Sequence, residues 1–415
     1  MKVLHVSSYD INGGAAIAAY RLHKSLLNKR IESRMLVMRK EGDLPTVHSA
    51  GGNVAKWLSY TKKYLDSIPN YIYRKRAKVY FSNLGISNYL IKYIKSEKPD
   101  IIHLHWINDG FVNISQLKKV KVPIVWTLHD MWSFTGGCHY TGDCTKFTQC
   151  CGKCPLLGSK MNYDLSTHNI KKKVEIMNKV NINIVTCSNW LKECASQSQV
   201  LKDKNIYVIP NTLNTNLFKP IDKKAARSIL NLPLDAKIIL FGAVNPLSNI
   251  RKGYKYLIQS LNNIKLDNSK ILLCVFGAST GNLEEEVPYN VRYMGVLRDE
   301  LSLALHYSAA DVFVAPSIED NLPNTVMESL ACGTPVVSFK VGGLTDMVKH
   351  NINGYVASFK SSEDLAKGII FIIENSEVLN MNKLARESVM KKYTNEIVSS
   401  KYIDLYNSML NKYDR

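Results

Sequence analysis

The sequence predicts an α/β fold made of two doubly wound parallel sheets in tandem. Short apolar runs alternate with stretches long enough for helices, the order that lets helices cover both faces of a parallel sheet. The alternation breaks once, in the polar segment from Ile209-Pro210-Asn211-Thr212 to Phe218-Lys219-Pro220, and then begins again. At 415 residues the chain is also too long for one core, and roughly 150 residues per domain makes two the first expectation.

Lys2–Ser7 is the first apolar run. Asn12-Gly13-Gly14 then breaks the chain, and Ala15–Lys29 sets Ala19, Leu22, Leu26 and Leu27 at helical spacing, so the opening reads strand, glycine loop, helix. Further strands are expected at Ser33–Met38, Asp100–His105, Val122–Leu128 and Ile182–Cys187. The second series places them at Lys237–Val244, Lys270–Gly277, Asn290–Gly295, Asp311–Ala315 and Pro335–Phe339. Ile397, Tyr402, Leu405, Tyr406 and Leu410 then recur at helical spacing and end the chain in an amphipathic helix. In open parallel sheets ligands collect outside the carboxyl ends of the strands, so the residues just after each strand are the ones to search.

Composition narrows the class. Hydrophobic residues make up 46% and charged residues 21%, which excludes a mainly disordered, collagenous or coiled-coil chain. The first residues turn polar too soon for a signal peptide and no window nears 18 uninterrupted apolar residues, so the chain reads as cytosolic. Lysine and arginine number 54 against 35 acids, a net charge of +19. The first 200 residues hold 29 of those bases and only 13 of the acids, while the remainder is nearly balanced at 25 and 22. Such a surplus draws an anionic partner: nucleic acid, an acidic membrane face or a phosphorylated substrate. Cysteine adds a second asymmetry, because five of the nine fall between Cys138 and Cys154 in a chain whose compartment disfavours disulfides.

The densest constellation runs Pro316-Ser317-Ile318-Glu319-Asp320-Asn321-Leu322-Pro323-Asn324-Thr325-Val326-Met327-Glu328-Ser329-Leu330-Ala331-Cys332-Gly333-Thr334-Pro335-Val336-Val337. Pro323 suits a first helical turn and Gly333 a helix stop, which puts Asp320 and Asn321 at a helix N-terminus just after a strand. Free amides there suit an anionic phosphate. Glu328, one turn in from Asn324, offers a carboxylate able to accept two hydrogen bonds from a diol such as ribose. The alternative is a capped helix whose acids favour its dipole. Arg251-Lys252-Gly253 follows the strand Lys237–Val244 across the loop Asn245–Ile250. Fixed cations of that kind counter charge building on a departing phosphate, although an Arg-Lys pair alone reads as solvated surface. Gly13 and Gly14 let the backbone approach a ligand closely. His129 ends a strand, whereas His103 and His105 alternate on one strand face as packing or hydrogen-bonding residues.

The order of these residues resembles glycosyltransferase family 4, retaining enzymes of the GT-B fold that use nucleotide-sugar donors. The family's mark is an acid, seven intervening residues and a Glu, in a Pro-Ser…Leu-Pro-Asn…Glu…Ala-Cys-Gly-Thr-Pro-Val-Val context; here the pair is Asp320 and Glu328. The first acid is usually Glu, so Asp320, next to Glu319, departs by one methylene. Gly13-Gly14, Thr127-Leu128-His129-Asp130, the Pro210 to Pro220 segment, Arg251-Lys252-Gly253 and Gly342-Gly343 keep family order. The resemblance implies an α/β GT-B architecture, two doubly wound Rossmann-like domains facing a cleft. Residues 1–213 would form the acceptor side and 214–394 the donor side, with the helix 395–415 packing back on the first. His129 is implied to contact the donor sugar and Lys252 to bind its phosphate. Arg251 is implied to replace an arginine that many relatives carry after the strand-end glycine, where this chain has Gly242-Ala243. With Asp320 these form the implied catalytic set; Gly13, Gly14, Glu319, Asn321, Leu322, Asn324, Thr325 and Glu328 form the donor-binding set. The implied reaction moves a sugar from a nucleotide diphosphate to a hydroxyl of a glycan or lipid-linked acceptor, with retention and without a catalytic metal ion.

Cys151 and Cys154 have the spacing that lets two thiolates grip one metal, and Cys138 with Cys144 completes a set of four for a structural zinc. Reduced packing thiols and disulfides are the alternatives. A subset of family 4 polysaccharide enzymes has a similar insertion after its His-Asp, with Gly-Gly-Cys-His-Tyr as here, which points to surface polysaccharide biosynthesis. Tyr71 to Phe81 alternates rings with Arg74, Lys75, Arg76 and Lys78. That pattern suits an anionic membrane face at the inner side of a cell membrane, single-stranded nucleic acid, or merely a basic surface helix. Three other classes compete. A nucleotide-sugar epimerase of similar architecture would need acid and base groups at the sugar's carbon 2, for which no distinct candidates stand out. A nucleic-acid-binding protein rests on the charge alone, without a recognition motif, so nucleic acid is not the expected partner. A noncatalytic sugar-nucleotide binder is the third.

Overall fold

The computed structural model describes residues 1–50, 55–242, 249–264, 270–279 and 286–413. The chain forms two compact units, residues 1–210 with 398–415, and residues 211–397. In the first, β1 (Lys2–Tyr9), β2 (Glu32–Arg39), β3 (Val47–Ser49), β4 (Ile101–Leu104), β5 (Ile124–Leu128), β6 (Ile182–Thr186) and β7 (Ile206–Val208) lie in the order β3-β2-β1-β4-β5-β6-β7, every pair parallel. Strands buried on both faces read as nearly continuous apolar runs, as β4 and β5 do apart from His103 and Thr127. Gly13, at φ +94°, turns the chain from β1 into the helix Gly14–Asn28.

The terminal helix Asn395–Tyr413 belongs to this unit from Val398 onward. Its Val398, Tyr402, Leu405, Tyr406 and Met409 share a core with Val3, Leu22, Leu26, Ile101, Val125 and Val185. Each such side chain taken from water contributes about 1.5–3 kcal/mol, so the helix is part of the sheet's cover rather than an appendage.

The second unit repeats the plan. β8 (Lys237–Gly242), β9 (Ile271–Phe276), β10 (Asn290–Tyr293), β11 (Val312–Ala315), β12 (Val336–Phe339) and β13 (Gly354–Ala357) form a parallel sheet in the order β10-β9-β8-β11-β12-β13. These are two Rossmann-like domains of the kind that make up the GT-B architecture. Strand order reverses between β1 and β4 in one sheet and between β8 and β11 in the other.

Three strands escape the sequence reading: β3 and β7 at the edges of the first sheet and β13 at an edge of the second. They hold only three or four residues and are partly exposed, so the apolar runs they present, such as Ile206-Tyr207-Val208, are too short to stand out. The basic segment after Tyr71 is not a surface helix, since Ile68–Ile72 is a 3-10 turn and 73–80 carries no regular structure. Ala243, with the end of the strand expected over Lys237–Val244 and most of the loop Asn245–Ile250, lies outside the described residues. Among the described residues no helix is long and apolar enough to cross a membrane.

Candidate active site

In the second unit three loops meet where the strand order reverses. Residues 251–253 follow β8, residues 316–323 follow β11 and Gly342-Gly343 follow β12. A Cβ on Gly253, at φ +73°, would sit 1.7 Å from the Pro316 carbonyl oxygen, so glycine is required for the first loop to press on the second. Ile318 N donates to the Arg251 carbonyl at 2.9 Å and Gly343 N to the Asp320 carbonyl at 3.1 Å, which stitches the loops together.

At their meeting point Lys252 Nζ lies 2.7 Å and Arg251 Nη1 3.3 Å from Asp320 Oδ2. Arg251 also donates to the Glu319 carbonyl at 2.6 Å. Burial works to raise the pKa of Asp320, but the charges of Lys252 and then Arg251 outweigh it and hold the group down to about 2. Burial lowers that of Lys252, with Asp320 opposing. The arrangement is therefore a half-buried cation pair with one buried carboxylate as counter-charge, and Glu319 takes part through its backbone.

The helix after β11 spans Asn324–Ala331, so Asp320 and Asn321 stand on the preceding loop rather than at its N-terminus. Pro323 is the cap residue: its ring fixes φ at −65°, which suits helix and extended backbone alike, and its ψ of 124° places it before the first turn. No side chain caps the helix, so the capped-helix alternative fails as well. Leu322, Asn324 and Thr325 surround that start, where Asn211 Nδ2 donates to Asn324 Oδ1 at 3.2 Å. Glu328 is buried on the helix and its Oε2 accepts the Tyr307 hydroxyl at 3.1 Å.

In the first unit Gly13 and Gly14 stand at the carboxyl side of β1, Gly14 being exposed. His129 follows β5 and is half-buried. Burial lowers its pKa to about 4, with Asp130 opposing, so its ring is neutral at pH 7. His103 is hydrogen-bonded on both sides, to Tyr406 at 2.6 Å and Thr127 at 2.7 Å. His105 contacts His5 and His129.

Sequence reading missed the residues that brace His129. Asp130 Oδ2 lies 2.7 Å from His139 Nδ1 and accepts Trp106 Nε1 at 2.9 Å, while Oδ1 accepts the Trp132 amide at 2.9 Å. Lys173, fully buried, donates to the carbonyls of Trp132 and Thr135 and lies over the Trp132 ring at 4.0 Å. Burial lowers its pKa to about 7. His139 had one legible signal, its place inside the cysteine cluster; Lys173 sits in a run of three lysines and had none.

All nine cysteines are free thiols, which removes the disulfide alternative. Cys138, Cys144, Cys151 and Cys154 line one cavity of about 20 Å³, room for a single small species, and Cys150 is exposed. Lys146 Nζ pins the loop by donating to the carbonyls of Gly152 and Lys153 at 3.0 Å. Burial pushes Cys138 up to about 12 and Cys151 up to about 11. Among the described residues, His5, His103 and His105 have ligand atoms within 4.8 Å of one another, and no three of the cysteine sulfurs come as close. Both ring nitrogens of His103 and of His105 already hold partners, however, so that group is hydrogen-bonded rather than arranged as ligands.

Residues 12–217 match the model of Glycosyltransferase Family 4, and residues 222–388 that of Glycosyl transferases group 1. The chain is 25% identical over 295 residues to the D-inositol 3-phosphate glycosyltransferase of Thermobispora bispora, covering 68% of this chain and 64% of that protein. Its fold is similar to that of sucrose-phosphate synthase from Thermosynechococcus elongatus, with a TM-score of 0.72 at 20% identity over 99% of this chain and 100% of the other. It is also similar to Anabaena HepE in complex with UDP and glucose, with a TM-score of 0.63 at 16% identity over 98% and 100%.

The ion cluster has a pH signature. The carboxyl of Asp320 is held at about 2 against an ordinary 3.8, so its contribution is complete above pH 4 and is lost as pH falls through 2. That difference is worth about 2 kcal/mol. Denaturant unfolding followed from pH 5 to pH 2 is expected to show this loss in the wild type and a flatter profile in Asp320→Asn, which starts at least as much less stable.

Proposed function

The chain is a glycosyltransferase-type protein of the GT-B architecture, matched by the Family 4 model in its first half and the group 1 model in its second. On that premise we propose that it moves a sugar from a nucleotide-diphosphate donor to a hydroxyl of a glycan or lipid-linked acceptor, with retention, in surface polysaccharide assembly. The observation that carries this reading is the cluster of half-buried Lys252 and Arg251 on buried Asp320 at the reversal point of the second sheet. Breaking a bond between a sugar and a diphosphate builds negative charge on the leaving group, and a fixed, half-buried cation pair stabilises that charge without reorganising. Asp320 keeps the pair ordered before a donor arrives. The backbone around Asn321, Leu322, Asn324 and Thr325 at the start of the helix suits a phosphate, and Glu328 accepts from the ribose hydroxyls. In the first unit, Gly13 and Gly14 leave room for a ligand to approach the backbone and His129 meets the donor sugar. Asp320 Oδ2 is committed to the cations and Oδ1 accepts the Asn321 amide, so it is a poor nucleophile, and the departing phosphate takes the acceptor's proton on the same face.

Nucleotide release from a panel of nucleotide sugars identifies the donor. With that donor, Glu328→Ala and Lys252→Ala are each expected to lose roughly 30-fold to 900-fold in kcat/KM, the worth of about 2–4 kcal/mol. Unchanged turnover in both variants would remove the assignment.

Two subsidiary proposals concern the first unit. The convergence of Cys138, Cys144, Cys151 and Cys154 on one cavity supports a structural zinc, whose binding would draw the thiols together and replace their protons. Elemental analysis is expected to give one zinc per chain, kept in Cys150→Ser and lost in Cys151→Ser; metal-free protein with titratable thiols would exclude it.

Exposed Tyr71 and Ile72, at 54% and 79%, stand beside Arg74, Lys75 and Lys78, with Arg76 over the Tyr71 ring at 4.7 Å. This mixture supports peripheral contact with an anionic membrane at the cytoplasmic face. Four cations at roughly 1 kcal/mol each are expected to favour anionic over neutral vesicles by about two to three orders of magnitude, steeply reduced by salt. A variant with Glu at all four positions should partition equally into both, and tighter binding to single-stranded RNA would point to nucleic acid instead.

A further inference from the structure

A row of imidazoles lies where the strand order of the first sheet reverses. His129 Nε2 is 3.2 Å from His105 Nδ1, and His105 Nε2 is 3.0 Å from His5 Nδ1. At the buried end His5 Nε2 has no hydrogen-bond partner among the described residues. His5 is 0% and His105 3% exposed, and burial lowers the pKa of each well below its ordinary value. All three rings are therefore neutral at pH 7, with one N–H apiece.

Each of the two contacts in the row needs one N–H and one lone pair. With one N–H per ring, the protons must all point the same way along the row. Pointing inward, they leave His5 with a buried N–H that faces no acceptor. Pointing outward, they leave His5 only a bare lone pair. An orphaned buried donor is the rarer defect in folded proteins, so the outward direction wins.

We propose that His105 is the positioning residue for His129: it donates from Nδ1 to His129 Nε2 and so keeps the proton of His129 on Nδ1. His129 then meets an oxygen of the donor sugar as a neutral hydrogen-bond donor, and it has no lone pair left to act as a base. Its Nδ1 lies 3.9 Å from the Cys187 sulfur, whose own thiol is 3.6 Å from the Leu128 carbonyl. Sulfur is a weak acceptor that a sugar oxygen displaces. The role given to His129 rests on the function proposed above; the direction of the row can be read without substrate.

Nitrogen-15 spectra of the imidazoles in the full chain at pH 7 are expected to show His129 protonated on Nδ1. In His105→Phe that tautomer is expected to give way to a mixture. kcat/KM should fall about tenfold, the worth of one net hydrogen bond. His103→Asn, an equally buried change outside the row, should leave the His129 tautomer as it was. A wild-type His129 protonated on Nε2 overturns the proposal, whether or not the variants fold. So does an unchanged tautomer in His105→Phe, or stoichiometric zinc that shifts His5, His103 and His105 together. Full activity in His129→Ala with the expected tautomer would instead sink the role given to His129 and leave the direction of the row standing.

Discussion

Two cations held at the end of a buried parallel strand require a counter-charge within hydrogen-bonding reach. Asp320 provides it, and much of the second unit's local geometry follows from that need. Its carboxylate must meet both Lys252 and Arg251, so the loop after β8 has to press against the loop after β11, and only a glycine at 253 lets it come that close. Gly342 has the same constraint from the other side, since a Cβ there would meet the Asp320 carbonyl at 2.1 Å. Removing one partner of such a cluster leaves an uncompensated buried charge, which costs more than the pair contributes.

The first unit solves the opposite problem. Its strand ends gather neutral rings rather than ions, and their order comes from hydrogen-bond directions. Tyr402 and Tyr406 of the terminal helix join this network through Thr127 and His103, so the helix supplies polar partners as well as apolar cover. Asp130, His139 and Lys173 fix the loop that follows β5. The cysteine insertion is thereby tied to the segment carrying His129.

Much of this was legible in the sequence. Alternating apolar runs located ten strands, because strands buried on both faces leave a strong signal. Short edge strands leave a weak one, which found β10 but not β3, β7 or β13. The order Pro316 to Val337 pointed to Asp320 and Glu328 because a strand, a loop and a helix start follow one another there within a few residues. The helix start was misjudged because Pro323 tolerates either a cap or a first-turn position, and only backbone dihedrals separate the two. Pairings across long separations, such as His5 with His105 or Lys173 with Trp132, depend on which strands neighbour one another, and no local pattern reports that. His103 and His105 were readable as a strand face but not as members of different networks.

The terminal helix carries a consequence for the order of assembly. Residues 398–415 complete the core of a unit whose other 210 residues are synthesised first. Domains generally fold in the order they leave the ribosome. Here the sheet that emerges first must wait, with Val3, Leu22 and Val125 uncovered, until residues 398–413 have been made, while the later unit has its whole sequence sooner. The nascent first unit is thus an open intermediate with exposed apolar surface, and closing it depends on bringing the helix back to a sheet from which the whole second unit separates it in sequence, a long loop closure.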